Sequence, residues 1–271
     1  MTENEAFLLK ELDEVKKWEK DQSGLWFWEK LSRLPFKLID KLTPAFIQNK
    51  IGQLLDEMGN YIQSGGKLLS DISSSKKYYK HLNVENFEEV KELPLVEMKA
   101  AVGKLTKSRK TIATLQGAST GIGGLFTLGI DIPLLLSMQI KILQDIAICY
   151  GYNPNEKKER IFIIKCLQYV SADVMGKNTI LDQLSHFDDN SEKVQREVVL
   201  EMQGWKEVVF AYRDAFGWKK LFQMVPVFGI VFGAFSNRSM IHDIAETGEM
   251  FYRKRKVIER LSKPTNNVAG D

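Results

Sequence analysis

A glycine-rich turn and a Ser-Tyr-Lys set are the residues of this sequence whose types and spacing could do chemistry. The turn, residues 117–123, has the Gly-x-x-x-Gly-x-Gly form whose backbone amides can cradle the pyrophosphate of a dinucleotide. Ser239, Tyr252 and Lys256 lie farther along the chain. A lysine four residues after a tyrosine can lower the tyrosine pKa, so that the hydroxyl acts as a proton donor. Together the two patterns would suit an NAD(P)-dependent oxidoreductase.

The elements around these residues do not suit that chemistry. A dinucleotide-binding turn follows a β-strand and opens a series of βαβ units. Here the turn comes more than a hundred residues into the chain, and no alternating βα pattern follows it. Asp131 and Pro133 also stand where the crossover helix should continue. A short-chain dehydrogenase therefore stays only a remote alternative.

No other catalytic or metal-binding set stands out in the sequence. His81, His186 and His242 have no second ligand at helical or loop spacing, and no nucleophile can be paired with a base. Asp131 is either the N-cap of a helix or a carboxylate that faces a ligand. We therefore expect no cofactor, no metal and no catalytic residue.

The composition is that of a globular protein. Of the 271 residues, 44% are hydrophobic and 27% are charged, which is enough apolar surface for a sizeable core. The net charge of +3 does not favour nucleic acid as a partner, because phosphate binding needs a concentrated basic face. The first ten residues lack the apolar run of a signal peptide, so we expect a cytoplasmic protein. We assign one domain to residues 1–263, with amphipathic helices in 1–110 and an apolar half in 111–263, followed by a disordered tail at 264–271.

Helical periodicity dominates the chain and predicts an all-α fold. Thr2 with Glu5 predicts a capping box that opens the first helix. Asp131 is predicted to start a later helix as its N-cap, with Pro133 in the first turn, and Gly151 is predicted to end that helix. Prolines are few, and no hairpin signal or internal repeat interrupts the pattern.

Two segments, 111–130 and 221–237, carry no charge, and both contain glycines. The first is long enough to span a bilayer but not apolar enough, and the second is apolar but short. A close-packed core is the first interpretation, insertion at a membrane interface the second, and a transmembrane hairpin the third. We predict a compact multi-helix bundle with these two Gly-containing apolar helices at its centre.

Basic and aromatic clusters lie near both segments. Basic residues precede each segment and form a further run near the end, a distribution that suits anionic headgroups. Aromatic residues near the start would suit the headgroup level of a membrane. The alternative is core packing for the aromatics and a solvated helix end for the last basic run. The residues predicted to bind a membrane or a partner are Trp18, Trp26, Phe27, Trp28, Lys107, Arg109, Lys110, Lys219, Lys220, Arg253, Lys254, Arg255 and Lys256.

A longer pattern in the chain resembles the EcsC family. It consists of a Gly-rich run that leads into an Asp-x-Pro helix, a Tyr-Gly-Tyr ending before a proline, and a second apolar run closed by asparagine. Gly233-Ala234 stands where a glycine pair is expected, which is a small departure. The residues that carry the pattern, and that we predict to pack helices closely or to face a ligand, are Gly117, Gly121, Gly123, Gly124, Asp131, Pro133, Gly229, Gly233 and Asn237.

The resemblance implies a bacterial protein that is linked to the operon of an ABC exporter and has no established catalytic activity. From it, and from the basic and aromatic residues, we expect a non-catalytic accessory protein that is peripheral to the inner face of the cell membrane. Its expected partners are anionic lipid, ABC transporter subunits, or both. A lipid-binding carrier and a lipid-acting enzyme that uses Asp131 are the alternatives.

Overall fold

The described part of the chain is built from α-helices. The computed structural model describes residues 3–22, 59–65, 77–79, 82, 84–120, 125–171, 174–188, 196 and 237–263. Regular structure within these ranges is helical, so the prediction of an all-α fold is confirmed. The helices are α1 (Glu5–Asp21), α2 (Phe87–Glu92), α3 (Leu95–Thr120), α4 (Leu125–Cys149), α5 (Lys157–Ser171), α6 (Val174–Ser185) and α7 (Asn237–Ser262).

Helix α7 is one of the two described helices that pack against four others. It packs against α1, α3, α4 and α5, and α4 and α5 also pack against one another. Its apolar residues Ile244, Phe251 and Val257 are buried, as expected for an amphipathic helix that faces a core. We predicted that the two uncharged segments would occupy the centre. Helix α4, which begins with the last residues of the first segment, packs against α2, α3, α5 and α7 and is as central as the charged α7. For the second segment this stays a prediction, because residues 221–236 lie outside the described ranges.

Helix α5 shows the same combination of burial and charge. Every residue from 159 to 170 is buried, although Glu159, Arg160 and Lys165 are among them. A helix that is buried on all sides normally has an apolar sequence on all sides. Buried charges are retained only where partners satisfy them, because an unpaired charge in a low-dielectric interior is strongly unfavourable. The fold therefore depends on ion pairs as well as on apolar packing.

The helix boundaries agree with the sequence in part. The predicted end at Gly151 is confirmed: its φ is +75°, and a Cβ there would lie 2.8 Å from the Cα of Lys91, so only glycine fits. The first helix is capped by Asn4, whose side chain accepts a 2.8 Å hydrogen bond from the amide of Phe7, and not by Thr2. Asp131 is not an N-cap, because it lies inside α4, which begins at residue 125.

The uncharged segment 111–130 is divided between two helices. Residues 111–120 continue α3 without a break from its basic part, and residues 125–130 begin α4. Within the described ranges, no helix combines the length and the apolarity that a bilayer crossing requires.

Candidate functional site

The residues of the oxidoreductase hypothesis do not form an open site. The hydroxyl of Tyr252 donates a 2.9 Å hydrogen bond to Glu159, and its ring is fully buried. Burial raises the pKa of Tyr252 well above its usual value, and the nearby charge of Glu159 raises it further. The ammonium group of Lys256 is bound to Glu259 at 2.9 Å instead of to the tyrosine.

The glycine turn of the same hypothesis has no support in the part of it that the structure describes, residues 117–120. Gly117 lies within the continuous helix α3, where a dinucleotide fold needs a strand followed by a turn. The structure therefore contradicts the dehydrogenase alternative at its proton donor and at the first glycine of its turn, whereas Gly121 and Gly123 lie outside the described residues.

The basic run Arg253–Lys256, which we call the α7 basic run, holds α7 to its neighbours. The Nε of Arg253 lies 2.6 Å from a carboxylate oxygen of Glu11, and its Nη2 donates to Glu14, so this guanidinium holds α1. Lys254 donates to Glu19 at 2.7 Å, which holds the same helix one to two turns farther on. The guanidinium of Arg260 also binds Glu3 near the start of α1, so the pairs follow opposite directions along the two helices and form a ladder along their interface.

Arg255 occupies a box of aromatic rings and carboxylates. Its guanidinium carbon lies 4.1 Å from the ring centre of Phe162 and 4.3 Å from that of Tyr152, distances that allow cation–π attraction. Its Nη1 donates to Glu159 at 2.6 Å, and Nε and Nη2 donate to Asp188 at 2.9 and 3.0 Å. All sides of the guanidinium are thus engaged by the protein itself.

These contacts correct the prediction of an accessible basic cluster at the α7 basic run. Arg253, Arg255 and Lys256 are only 4%, 8% and 1% exposed. Their charges are already balanced by carboxylates and by the ring of Tyr152, so the structure does not offer them to a membrane. The alternative of a solvated helix end is wrong for the same reason.

Trp18 also lies in the core instead of on a membrane-facing surface. Its ring is 5.7 Å from Phe251 in an edge-on arrangement and 6.2 Å from Tyr169. Burial of an aromatic ring stabilises the fold through a large apolar area. The ordinary interpretation, that this aromatic packs helices together, is therefore the one that the structure supports for Trp18.

Of the predicted basic docking residues whose side chains the structure describes, Lys107 lies on an exposed face of α3. Val96, Ala100, Gly103, Lys104 and Lys107 are exposed and recur at the spacing of one helical face. We call this surface the α3 lysine face. Val96 is 58% exposed, and a Cβ at Gly103 would meet nothing within 4 Å, so neighbouring elements leave this side of the helix open.

For some of the other predicted residues the structure describes only the position in the backbone, and the rest lie outside the described residues. Arg109, Lys110 and Gly117 belong to α3, Asp131 and Pro133 to α4, and Asn237 is the first residue of α7. The remaining ones lie outside the described residues: Trp26, Phe27, Trp28, Gly121, Gly123, Gly124, Lys219, Lys220, Gly229 and Gly233.

One close helix contact and the acidic partners of the ion pairs were not predicted from the sequence. Gly248 of α7 packs against α4 so tightly that a Cβ would lie 2.7 Å from Leu143 Cδ2. A glycine in the middle of a predicted helix was the available signal. The acidic partners gave no such signal, because Glu11 and Glu159 precede the α7 basic run by more than ninety residues.

Metal binding has no support in the described ranges, where no three His, Cys, Asp or Glu side chains are grouped so that they could hold an ion.

The comparisons with known proteins agree on one family. The profile of the EcsC protein family matches residues 9–257. The chain is 54% identical over 266 residues to uncharacterized protein YdbA of Bacillus subtilis strain 168, and the match covers 97% of each chain. Protein EcsC of the same organism is 26% identical over 163 residues, which cover 60% of this chain and 65% of that protein. No solved structure matches. Because the family profile and a relative at 54% identity both span nearly the whole sequence, this chain belongs to the EcsC protein family.

Proposed function

We propose that this EcsC-family protein is a non-catalytic accessory protein of an ABC transport system, held at the inner face of the cell membrane by anionic lipid. The observation that carries the proposal is the α3 lysine face, where Lys104 and Lys107 are exposed on a helix that continues to residue 120. The same helix carries Arg109 and Lys110 in its next turn, directly before the uncharged stretch. A basic cluster followed by an uncharged helical segment suits a headgroup region with hydrocarbon beneath it.

Charge is expected to supply most of the attraction. Each lysine or arginine near an anionic surface contributes about 1 kcal/mol, and the effect decays over a Debye length of about 8 Å at physiological salt. Because the α7 basic run is bound to carboxylates, we expect the attraction to come mainly from α3 and from Lys219 and Lys220. Trp26 and Trp28 stay predicted apolar contacts.

Vesicle sedimentation tests the proposal directly. The full chain is mixed at low salt with vesicles of phosphatidylcholine alone or with phosphatidylglycerol added. We expect binding to the anionic vesicles that weakens as salt is added. The double variant Lys104→Gln with Lys107→Gln should bind about 30-fold more weakly, because it lacks about 2 kcal/mol of attraction.

A matched control distinguishes vesicle binding through the α3 lysine face from vesicle binding through the net charge of the protein. Lys16→Gln with Lys17→Gln removes the same two charges from exposed positions on α1 and should change vesicle binding much less. Equal losses in both double variants would mean that net charge, and not the α3 lysine face, governs binding. A wild-type protein that ignores anionic vesicles at low salt would refute lipid attachment.

The transporter part of the proposal needs a separate experiment. Cross-linking in cells, followed by purification of the full chain, should recover an ATPase or membrane subunit of an ABC transporter. Loss of that product in the Lys104→Gln, Lys107→Gln variant would tie transporter contact to the same face. Recovery of soluble proteins alone would contradict the accessory role. The alternatives of a lipid carrier and a lipid-acting enzyme predict co-purifying lipid and lipid turnover, respectively.

A further inference from the structure

Glu11 of α1 is the acid at which α1, α3 and α7 meet. Both of its carboxylate oxygens lie 2.8 Å from the ammonium group of Lys99 on α3. The Nε of Arg253 on α7 lies 2.6 Å from one of the same oxygens. One buried carboxylate therefore binds two cations that come from different helices.

The two cations beside Glu11 differ in how easily they could leave it. The side chain of Arg253 is 4% exposed, and its Nη2 also donates to Glu14, so α1 binds this guanidinium at two places. The side chain of Lys99 is 29% exposed, and an ion pair with that much solvent contact contributes little net stability. Because Arg253 stays beside Glu11, departure of Lys99 does not leave a buried charge uncompensated. Lys99 is therefore the exchangeable cation of the two.

Lys99 lies at the edge of the α3 lysine face. Val96 and Gly103 belong to that face, and they are three and four residues away from Lys99, a spacing that makes them its neighbours on the helix surface. A side chain at position 103 would lean back along the helix toward Lys99. Glycine has none, and a Cβ there would meet no described atom within 4 Å. The ammonium group of Lys99 therefore has room to turn from Glu11 toward a ligand on the face.

We propose that Lys99 is an exchangeable lysine of the α3 lysine face, which binds Glu11 in the free protein and an anionic lipid headgroup in the membrane-bound protein. The inference rests on the proposed function, because it needs anionic lipid beside Lys104 and Lys107. Lipid phosphates at those two residues bring negative charge to the open side of Lys99. A phosphate and a carboxylate offer an ammonium group the same kind of charge-assisted hydrogen bond, so the lipid and Glu11 compete for it.

This competition couples membrane binding to the hold on α1. The contact of Lys99 with Glu11 joins α3 to α1, and it is lost when the ammonium group turns to the lipid. The contacts of Arg253 with Glu11 and Glu14 still join α1 to α7, so α1 stays in place but is bound less firmly. Such coupling is reciprocal, which means that a change that releases Lys99 from Glu11 must also strengthen the binding of anionic lipid.

Vesicle sedimentation of Glu11→Gln tests the proposal. Glutamine keeps the shape of the side chain and removes the charge that competes for Lys99. At low salt the variant should bind vesicles that contain phosphatidylglycerol about fivefold more tightly than the wild type, the equivalent of one added lysine at about 1 kcal/mol. Glu14→Gln is the matched control. It removes the same charge from the same helix, together with a contact of Arg253, but leaves Lys99 on Glu11 and should change vesicle binding much less.

Two measurements on Lys99→Gln complete the test. In this background the change Glu11→Gln should no longer strengthen vesicle binding, because the lysine that it releases is missing. Hydrogen exchange needs only the wild type and Lys99→Gln, and so does not depend on the folding of a Glu11 variant. The amides of α1 around Glu11 should exchange faster in the wild type when phosphatidylglycerol vesicles are added, and at an unchanged rate in Lys99→Gln.

The outcomes distinguish this proposal from the proposed function. Equal gains in Glu11→Gln and Glu14→Gln would overturn it, because net charge would then explain both. A gain that persists in Lys99→Gln would overturn it as well, and so would exchange in α1 that does not respond to vesicles that the wild type binds. In these three cases attachment through Lys104 and Lys107 still stands. A wild-type protein that does not bind anionic vesicles would overturn both proposals.

Discussion

The Nη1 of Arg255 donates a 2.6 Å hydrogen bond to a carboxylate oxygen of Glu159, and both side chains are almost fully buried. The pair joins α7 to α5 across the core. An ion pair in this position adds little net stability by itself, because both charges lose their hydration. It is nevertheless costly to break, since one partner would be left buried and uncompensated.

Removal of the Arg255 side chain should therefore destabilise the protein strongly. Arg255→Ala leaves Glu159 buried beside a cavity among aromatic rings, and we expect a loss of about 3–5 kcal/mol in the free energy of unfolding by urea. Lys263→Ala, just after the end of the same helix, removes a lysine that is 59% exposed and should change the free energy by less than about 0.5 kcal/mol. Equal and small changes in the free energy of unfolding of the two variants would contradict the structural role of the Arg255–Glu159 pair.

Two glycine substitutions on helices should have opposite signs. Gly248→Ala places a methyl group 2.7 Å from Leu143 in a fully buried layer, so overpacking of about 1–3 kcal/mol opposes the better helix propensity of alanine. Gly103→Ala adds a methyl group to open space and should stabilise the protein by up to about 1 kcal/mol. The comparison is made by chemical denaturation, and a Gly248→Ala protein at least as stable as Gly103→Ala would contradict the close contact of α7 with α4.

Acid should weaken the contact of Arg255 with Asp188. Burial alone would raise the pKa of Asp188, but hydrogen bonds and charge from Arg255 and Lys158 outweigh it and hold the pKa below the usual 3.8. Because the folded pKa is depressed, the stabilisation is present above pH 3.8 and is lost as pH falls through the folded value. The wild type should therefore exceed Asp188→Asn in stability at pH 7 by an amount that shrinks on acidification.

An exposed aspartate provides the comparison for that experiment. Asp182→Asn changes a side chain that is 78% exposed and should follow the wild-type acid profile. A stability difference between wild type and Asp188→Asn that stays constant from pH 7 to pH 2 would argue against the ion pair.

The sequence predicted the local features of the fold well. Helical spacing predicted the helices, and the end of α4 at Gly151 followed from glycine alone, because a positive φ is a property of one residue. The start of α4 was wrong. An Asp-x-Pro pattern fits the first turn of a helix, yet Asp131 and Pro133 lie in a helix that already begins at residue 125.

The roles of the basic residues could not be predicted from the sequence. A run such as Arg253–Lys256 looks the same whether it faces water or carboxylates, and the answer depends on which helices lie beside it. Those partners are Glu11, Glu19 and Glu159, which come from two helices far away in the chain. Lys107 differs in that its exposure follows from the periodicity of α3 itself.

The ion-pair ladder between α1 and α7 also has a consequence during synthesis, because α1 is made long before α7. Its outermost pair joins Glu3 to Arg260, two residues separated by 257 positions. The apolar side of α1, with Leu8 and Val15, is translated long before the helix that covers it, and closure of so long a loop carries a large entropic cost that is met only when α7 is present. During synthesis α1 can therefore meet α3 and α5 first, but its main partner α7 is complete only once translation has passed residue 260.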